Sequence, residues 1–163
     1  MNTIAMCVMK HNHPETVADV LMNFAKIFKA CEIDVYYYDS SFDDRTLEII
    51  DFFRKEGFDN ISYIPCRGLS GDEKLGLLYT GKALPAEYDY YWVVKDRTAC
   101  DASAILKIYE EALFEKPDII VIDSYGEHKR SGSVTYDAPV SLYRDQAWQI
   151  TSMDVCLFRK KGC

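Results

Sequence analysis

The chain has 163 residues, 48% hydrophobic and 28% charged, with a formal net charge of −7. That is the composition of an ordinary globular domain, long enough for one substantial core. The acidic balance disfavours broad attraction to nucleic acid or to an anionic membrane surface, and no stretch approaches the roughly 18 apolar residues of a membrane span.

The opening residues, MNTIAMCVMK, lack a basic leader region and carry too short an apolar run for a signal peptide, so a cytoplasmic location is expected. TIAMCVM reads as a buried strand. PETVADVLMNFAKIFKAC follows as a helix, with Pro14 suited to its first turn. Its Val17, Val20, Leu21, Phe24, Ile27 and Phe28 recur at helical spacing and form one packing face. IDVYYYD is the second strand, rich in β-branched and aromatic residues. Asp43 or Asp44 caps the next helix, which packs through Leu47, Ile50 and Phe53 and ends at Gly57.

NISYIP is a third strand, and a third helix is expected from near Asp72 to Ala83. YDYYWVV is the fourth strand. Asp101 or Ser103 then caps a helix carrying Ile105, Ile108, Tyr109 and Ala112. PDIIVID is the fifth strand, and residues 124–139 read as a long loop. SLYRDQAWQI suggests a short helix and MDVCLFRK a last strand. The alternation predicts βαβ units: an α/β fold with a Rossmann-like, mostly parallel sheet flanked by helices. Residues 1–163 read as a single domain, without repeats or linkers.

The six cysteines show neither CxxC pairing nor zinc-ligand spacing to a histidine. Cys7, Cys31 and Cys156 lie in or beside apolar stretches, and all six are expected to be reduced thiols.

Ligands of open α/β sheets bind outside the carboxyl ends of the strands. The residues there are Lys10-His11-Asn12-His13, then Asp39-Ser40-Ser41 with Asp43 and Asp44. Arg67 to Asp72 follow the third strand, Lys95-Asp96-Arg97 the fourth and Asp123-Ser124 the fifth. Such a set suits a ligand with a base or sugar hydroxyls and a phosphate. The Gly68/Gly71 loop matches neither GxGxxG nor the Walker pattern, which argues against a dinucleotide fold or a P-loop enzyme.

Three blocks, IAMCVMKHNHPETV, IDVYYYDSSFDDRTLEII and YDYYWVVKDRTACDASAILKIYEEA, resemble successive parts of the family-2 glycosyltransferases of GT-A fold. That family typically opens with a hydrophobic strand and a Pro-Glu-Thr helix start, as His11 to Thr16 do. Its second strand usually ends in Asp, small residues and Asp-Gly-Thr; here Asp39-Ser40-Ser41 precede Asp44-Arg45-Thr46, with Arg in place of Gly. The resemblance implies an inverting sugar transfer, hexosyl or related, from a nucleotide-diphosphate sugar to a glycan or lipid-linked acceptor, as in polysaccharide biosynthesis. It also implies donor-binding roles for Lys10, His11, Asn12, Asp39, Ser41, Arg67, Asp72, Lys95, Asp96 and Arg97. The backbone around Lys10 and His11 would border the nucleoside, and Asp39 would accept hydrogen bonds from base or ribose.

The family normally carries a DxD metal motif where this chain reads Lys95-Asp96-Arg97. Three alternatives stand. Lys95 and Arg97 supply the positive charge without a metal; Asp96 is the single strong protein ligand of Mn²⁺ or Mg²⁺; or catalytic donor binding has been lost. The family's catalytic base usually lies beyond the segment resembling VCLFRK, so the acceptor-binding part is expected to be missing and no base is named. A non-catalytic nucleotide-sugar-binding or regulatory module is therefore the alternative function. A nucleotidyltransferase would need a Gly-rich basic N-terminal loop, which MKHNHPET lacks.

Plainer readings compete at several positions. Asp44 is expected to cap, and His11 and His13 to be surface or cap groups. The tyrosines of the second and fourth strands are expected to pack, and GEHKRSG to be a solvated loop. Lys95 and Arg97 could pair with Asp96, Asp101 or Asp123 in a structural ion-pair group.

Overall fold

The structure is a computed structural model that describes residues 4–79, 88–95, 98–100, 102–114, 119–122, 134–136, 140–143 and 155–159. The chain runs β1 (Ile4–Lys10), α1 (Pro14–Ala30), β2 (Ile33–Asp39), α2 (Arg45–Lys55), β3 (Ile61–Pro65), α3 (Gly71–Tyr79) and β4 (Tyr90–Lys95). It continues through β5 (Thr98–Cys100), α4 (Ala102–Phe114), β6 (Ile119–Ile122), β7 (Val134–Tyr136), β8 (Val140–Tyr143) and β9 (Val155–Arg159).

Seven strands make one sheet in the order β3-β2-β1-β4-β9-β6-β8, and β5 pairs with β7 separately. The half from β3 to β4 is parallel throughout. Beyond β4 the sheet is mixed, because β9 runs antiparallel to both β4 and β6, and β8 runs antiparallel to β6. The fold is therefore α/β and Rossmann-like in its parallel half, with helices on both faces.

Strands covered on both faces lose the apolar/polar alternation of a half-exposed sheet, and β1 is buried at every residue. On one face Ile4, Met6 and Val8 meet Val17, Leu21, Ala25 and Phe28 of α1, Ile50 and Phe53 of α2, and Ile105 and Ile108 of α4. On the other, Ala5, Cys7 and Met9 lie with Tyr36, Tyr38, Tyr88 and Tyr91, and Leu77 of α3 packs against them. The strand tyrosines are core residues, as the packing reading expects. Tyr88 bridges Tyr36 (2.5 Å) and Asp34 (2.6 Å) through its hydroxyl.

Pro14 does open α1, and Gly57 follows α2 at φ 102, in the left-handed region that only glycine adopts without strain. Four expectations need correction. Val134–Tyr136, read as loop, pairs with Thr98–Cys100; three-residue strands are too short to show a period. Ser141–Tyr143, read as the start of a helix, belong to the strand Val140–Tyr143, which pairs with β6 instead. The last helix begins at Ala102, so Ser103 sits inside its first turn and is not its cap. Asp44 occupies the N-cap of α2 without a side-chain cap bond, while Asp43 accepts from the Arg45 amide (3.1 Å). The third helix is described only to Tyr79; residues 80–83 of its expected span, Asp101, and residues 144–150 lie outside the described residues.

Candidate functional site

The chain steps outward from β1 to β2 and β3, then returns to the other side of β1 as β4. This reversal is the topological switch point, where open α/β sheets leave a crevice at the strands' carboxyl ends. Register sets the neighbours there: Met9 lies beside Lys95, Lys10 beside Asp39, and Asp39 beside Pro65. Lys10 and Asp39, both named from sequence, therefore sit next to each other at the crevice.

Both are sealed from solvent, Lys10 at 1% exposure and Asp39 at 0%. A buried charge must be hydrogen-bonded to persist. The Lys10 ammonium donates to Thr16 Oγ1, and that hydroxyl donates to the His13 carbonyl (2.9 Å), so the buried cation holds the first turn of α1. Asp39 Oδ1 accepts from the Ser41 amide (3.0 Å) and hydroxyl (2.5 Å), and Oδ2 from the Tyr63 hydroxyl (3.0 Å). Burial, with the Asp39 charge behind it, pushes the Tyr63 phenol up to about 12. Ser41 Oγ also receives the Asn12 amide (2.6 Å), tying the β1 exit to the β2 exit. Asp39 is thus a positioning group: it fixes Ser41, and Ser41 fixes the backbone at Asn12.

A third buried charge comes from α3. Lys74, 4% exposed, donates to the Lys10 carbonyl (3.0 Å) and to Ser40 Oγ (3.1 Å). The same Ser40 oxygen lies 2.9 Å from His11 Nδ1. Ser70 and Glu73 open α3 with a reciprocal capping box, amide to carboxylate (3.3 Å) and amide to hydroxyl (3.2 Å). That cap sets the helix start and hence the approach of Lys74. Two ammonium groups and one carboxylate are thus buried at this edge, with the Asp43, Asp44, Asp72 and Glu73 carboxylates exposed around them.

The remaining sequence-predicted residues lie around this cluster. His11 and Asn12 are exposed, and Asn12 and His13 take left-handed backbone angles (φ 55 each). Arg67 is exposed and paired with Asp44 (2.5 Å), and Asp72 is exposed in the first turn of α3. Asp43 is held by Arg45 through two hydrogen bonds, which lower its carboxyl below the usual range. Lys95 ends β4 beside Met9; Asp96, Arg97, Asp123, Ser124 and the GEHKRSG segment lie outside the described residues.

A divalent cation prefers several oxygen ligands. Of the described carboxylates at this edge, Asp39 is bound to Ser41 and Tyr63, Asp43 to Arg45, Asp44 to Arg67 and Glu73 to the Ser70 amide, while Asp72 is exposed. No cluster of three or more His, Cys, Asp or Glu side chains suited to a metal occurs among the described residues. His13 takes Glu15 (3.1 Å) and His11 takes Ser40. The described residues alone offer no ligand set for Mn²⁺ or Mg²⁺, and Asp96, the ligand named from sequence, lies outside them. Elsewhere, a groove of about 680 Å³ opens between α1 and α2, lined by Met22, Ile49 and Phe52 among others. Its lining is mainly apolar, with Glu15, Arg45 and Glu48 among its residues.

Sequence reading missed Lys74, Tyr63 and the Ser70–Glu73 box. The box was visible as S-x-x-E. Lys74 shares a helix face with Leu77 at the i, i+3 spacing, the one cue that its stem is buried. A comparison of the chain with protein-family models finds no match, and none of the curated proteins matches it. No described helix is long and apolar enough to cross a membrane.

Proposed function

We propose that this chain is the donor-binding part of a glycosyltransferase of GT-A type, taking a nucleotide-diphosphate sugar at the crevice between β1 and β4. The observation that carries the reading is the hydrogen-bonded network that joins Lys10, Asn12, Asp39, Ser40, Ser41, Lys74 and His11 at the switch point of the sheet. In this reading the backbone from Lys10 to Asn12 borders the nucleoside, with Ser41 behind it. Asp39 acts through the groups it holds, and Asp72 and Arg67 line the outer wall. The resemblance would add Lys95, as a point charge, and Arg97, as a planar fork, to the groups that meet the diphosphate.

The sugar would then pass to a glycan or lipid-linked acceptor. One observation favours the alternative of a non-catalytic nucleotide-sugar-binding module. Asp39, the only buried carboxylate among the described residues at this edge, is spent on three hydrogen bonds and cannot serve as a base. Calorimetric titration with UDP-, GDP- and TDP-linked nucleotides, with and without Mn²⁺, tests the shared part of both readings. Saturable binding of one nucleotide class is expected, and no detectable binding to any of them overturns both. Turnover of the bound donor then separates the enzyme from the module.

A further inference from the structure

Hydrogen-bond accounting around Ser40 assigns a state to His11. The Ser40 hydroxyl has one proton and two lone pairs, and three groups surround its oxygen. Lys74 Nζ, at 3.1 Å, is a donor only; the Lys10 carbonyl, at 3.3 Å, is an acceptor only; His11 Nδ1, at 2.9 Å, can be either. The proton therefore goes to Lys10 or to His11.

Two facts decide between them. The Lys10 carbonyl already accepts from the Ser40 amide (3.0 Å) and from Lys74 (3.0 Å), which uses both of its lone pairs. A separation of 3.3 Å is also long for a hydroxyl donor, whereas 2.9 Å to a ring nitrogen is ordinary. Ser40 thus donates to Nδ1, and the ring's own proton sits on Nε2. The ring is exposed, and among the described residues Nε2 has no hydrogen-bond partner.

We propose that Lys74 and Ser40 act as positioning residues that hold neutral His11 with its Nε2–H facing outward, as a ready donor to an oxygen of the bound ligand. This rests on the switch point being the ligand site. The ligand group is an oxygen acceptor, either a base carbonyl or a phosphate oxygen. The relay draws on three elements: Lys74 from α3, Ser40 from the β2 exit and His11 from the β1 exit. A ligand bound there would therefore sense the seating of α3 through the orientation of one ring.

Long-range ¹H–¹⁵N correlation spectra of the histidine rings read the tautomer directly, with His11 assigned by its disappearance in His11→Gln. His11 is expected to show an unprotonated Nδ1 and a protonated Nε2. Ser40→Ala should move that signal toward the mixture of a free imidazole, a change that loss of packing alone does not produce. A protonated Nδ1 in the neutral ring, or no response to Ser40→Ala, overturns the relay.

Adding UDP, uridine or inorganic pyrophosphate in separate titrations identifies the acceptor. A shift of Nε2–H with uridine points to the base, and a shift with pyrophosphate to the phosphate. His11→Gln, which keeps a donor near the Nε2 position, should retain UDP affinity within about threefold, while His11→Asn, which mimics Nδ1, should lose roughly tenfold. UDP binding that leaves Nε2–H unmoved overturns the His11 assignment while leaving the donor-site reading intact. If neither UDP nor the GDP and TDP series binds, the donor-site reading falls and His11's contact role falls with it.

Discussion

Replacing Asp39 separates a positioning carboxylate from one kept only for its charge. Asp39→Ala removes the acceptor of three hydrogen bonds: the Ser41 amide at 3.0 Å, the Ser41 hydroxyl at 2.5 Å and the Tyr63 hydroxyl at 3.0 Å. The Ser41 hydroxyl can rotate and Tyr63 is only half-buried, but the Ser41 amide has no such recourse. A buried donor left without an acceptor costs about 1–3 kcal/mol, and the two hydroxyls add less each, so a loss of about 3 kcal/mol is expected. Asp39→Asn keeps one carbonyl oxygen for Ser41 and turns its amide toward Tyr63, whose oxygen can accept; a cost of about 1 kcal/mol is expected. Urea unfolding at neutral pH, extrapolated to water, measures both. In Asp39→Asn the Tyr63 phenol should also titrate below about 12, since the Asp39 charge is gone while burial remains. Equal losses in the two variants, or a loss under about 1 kcal/mol in Asp39→Ala, would refute the positioning role.

Further outcomes follow from burial elsewhere. Burial pushes the Cys7 thiol from 9.0 up to about 12, so between those values the folded chain keeps a proton that the unfolded chain releases. This contribution is complete below pH 9 and is lost as pH rises toward 12, at about 1.4 kcal/mol per pH unit within the window. Cys7→Ala should therefore show a shallower alkaline loss of stability than the parent chain, and identical slopes would contradict the assignment. Phe28 is fully buried between α1 and the sheet, so Phe28→Ala should cost about 3–5 kcal/mol. Met22 on the same helix is 76% exposed, and Met22→Ala should stay within about 0.5 kcal/mol in the same urea assay.

The parallel half of the fold was legible because each of its elements is long enough to show a period. The strands IDVYYYD and NISYIP and the helix from Pro14 are found where their patterns place them. The antiparallel returns were not legible, since direction is decided by which neighbour a strand joins and leaves no mark on a run such as VCLFR. The pairs Thr98–Cys100 and Val134–Tyr136 are three residues each, below the length at which alternation means anything.

The site was half legible for a related reason. Strand ends can be read from sequence, so Lys10, His11, Asn12, Asp39 and Ser41 emerged together. Their burial could not be read, because it depends on α3 folding back across the β1 and β2 exits. Asp39 consequently looked like a ligand contact, whereas its oxygens are filled from within. Lys74 looked like one more surface lysine, whereas it closes the network from above.

Amide chemical-shift mapping during titration with UDP tests the donor-site reading most directly. Shifts should concentrate at His11, Asn12, Ser40 and Ser41, with smaller ones at Arg67 and Asp72, and leave the groove at Met22 and Phe52 still. Shifts confined to that groove, or none at saturating nucleotide, would contradict it.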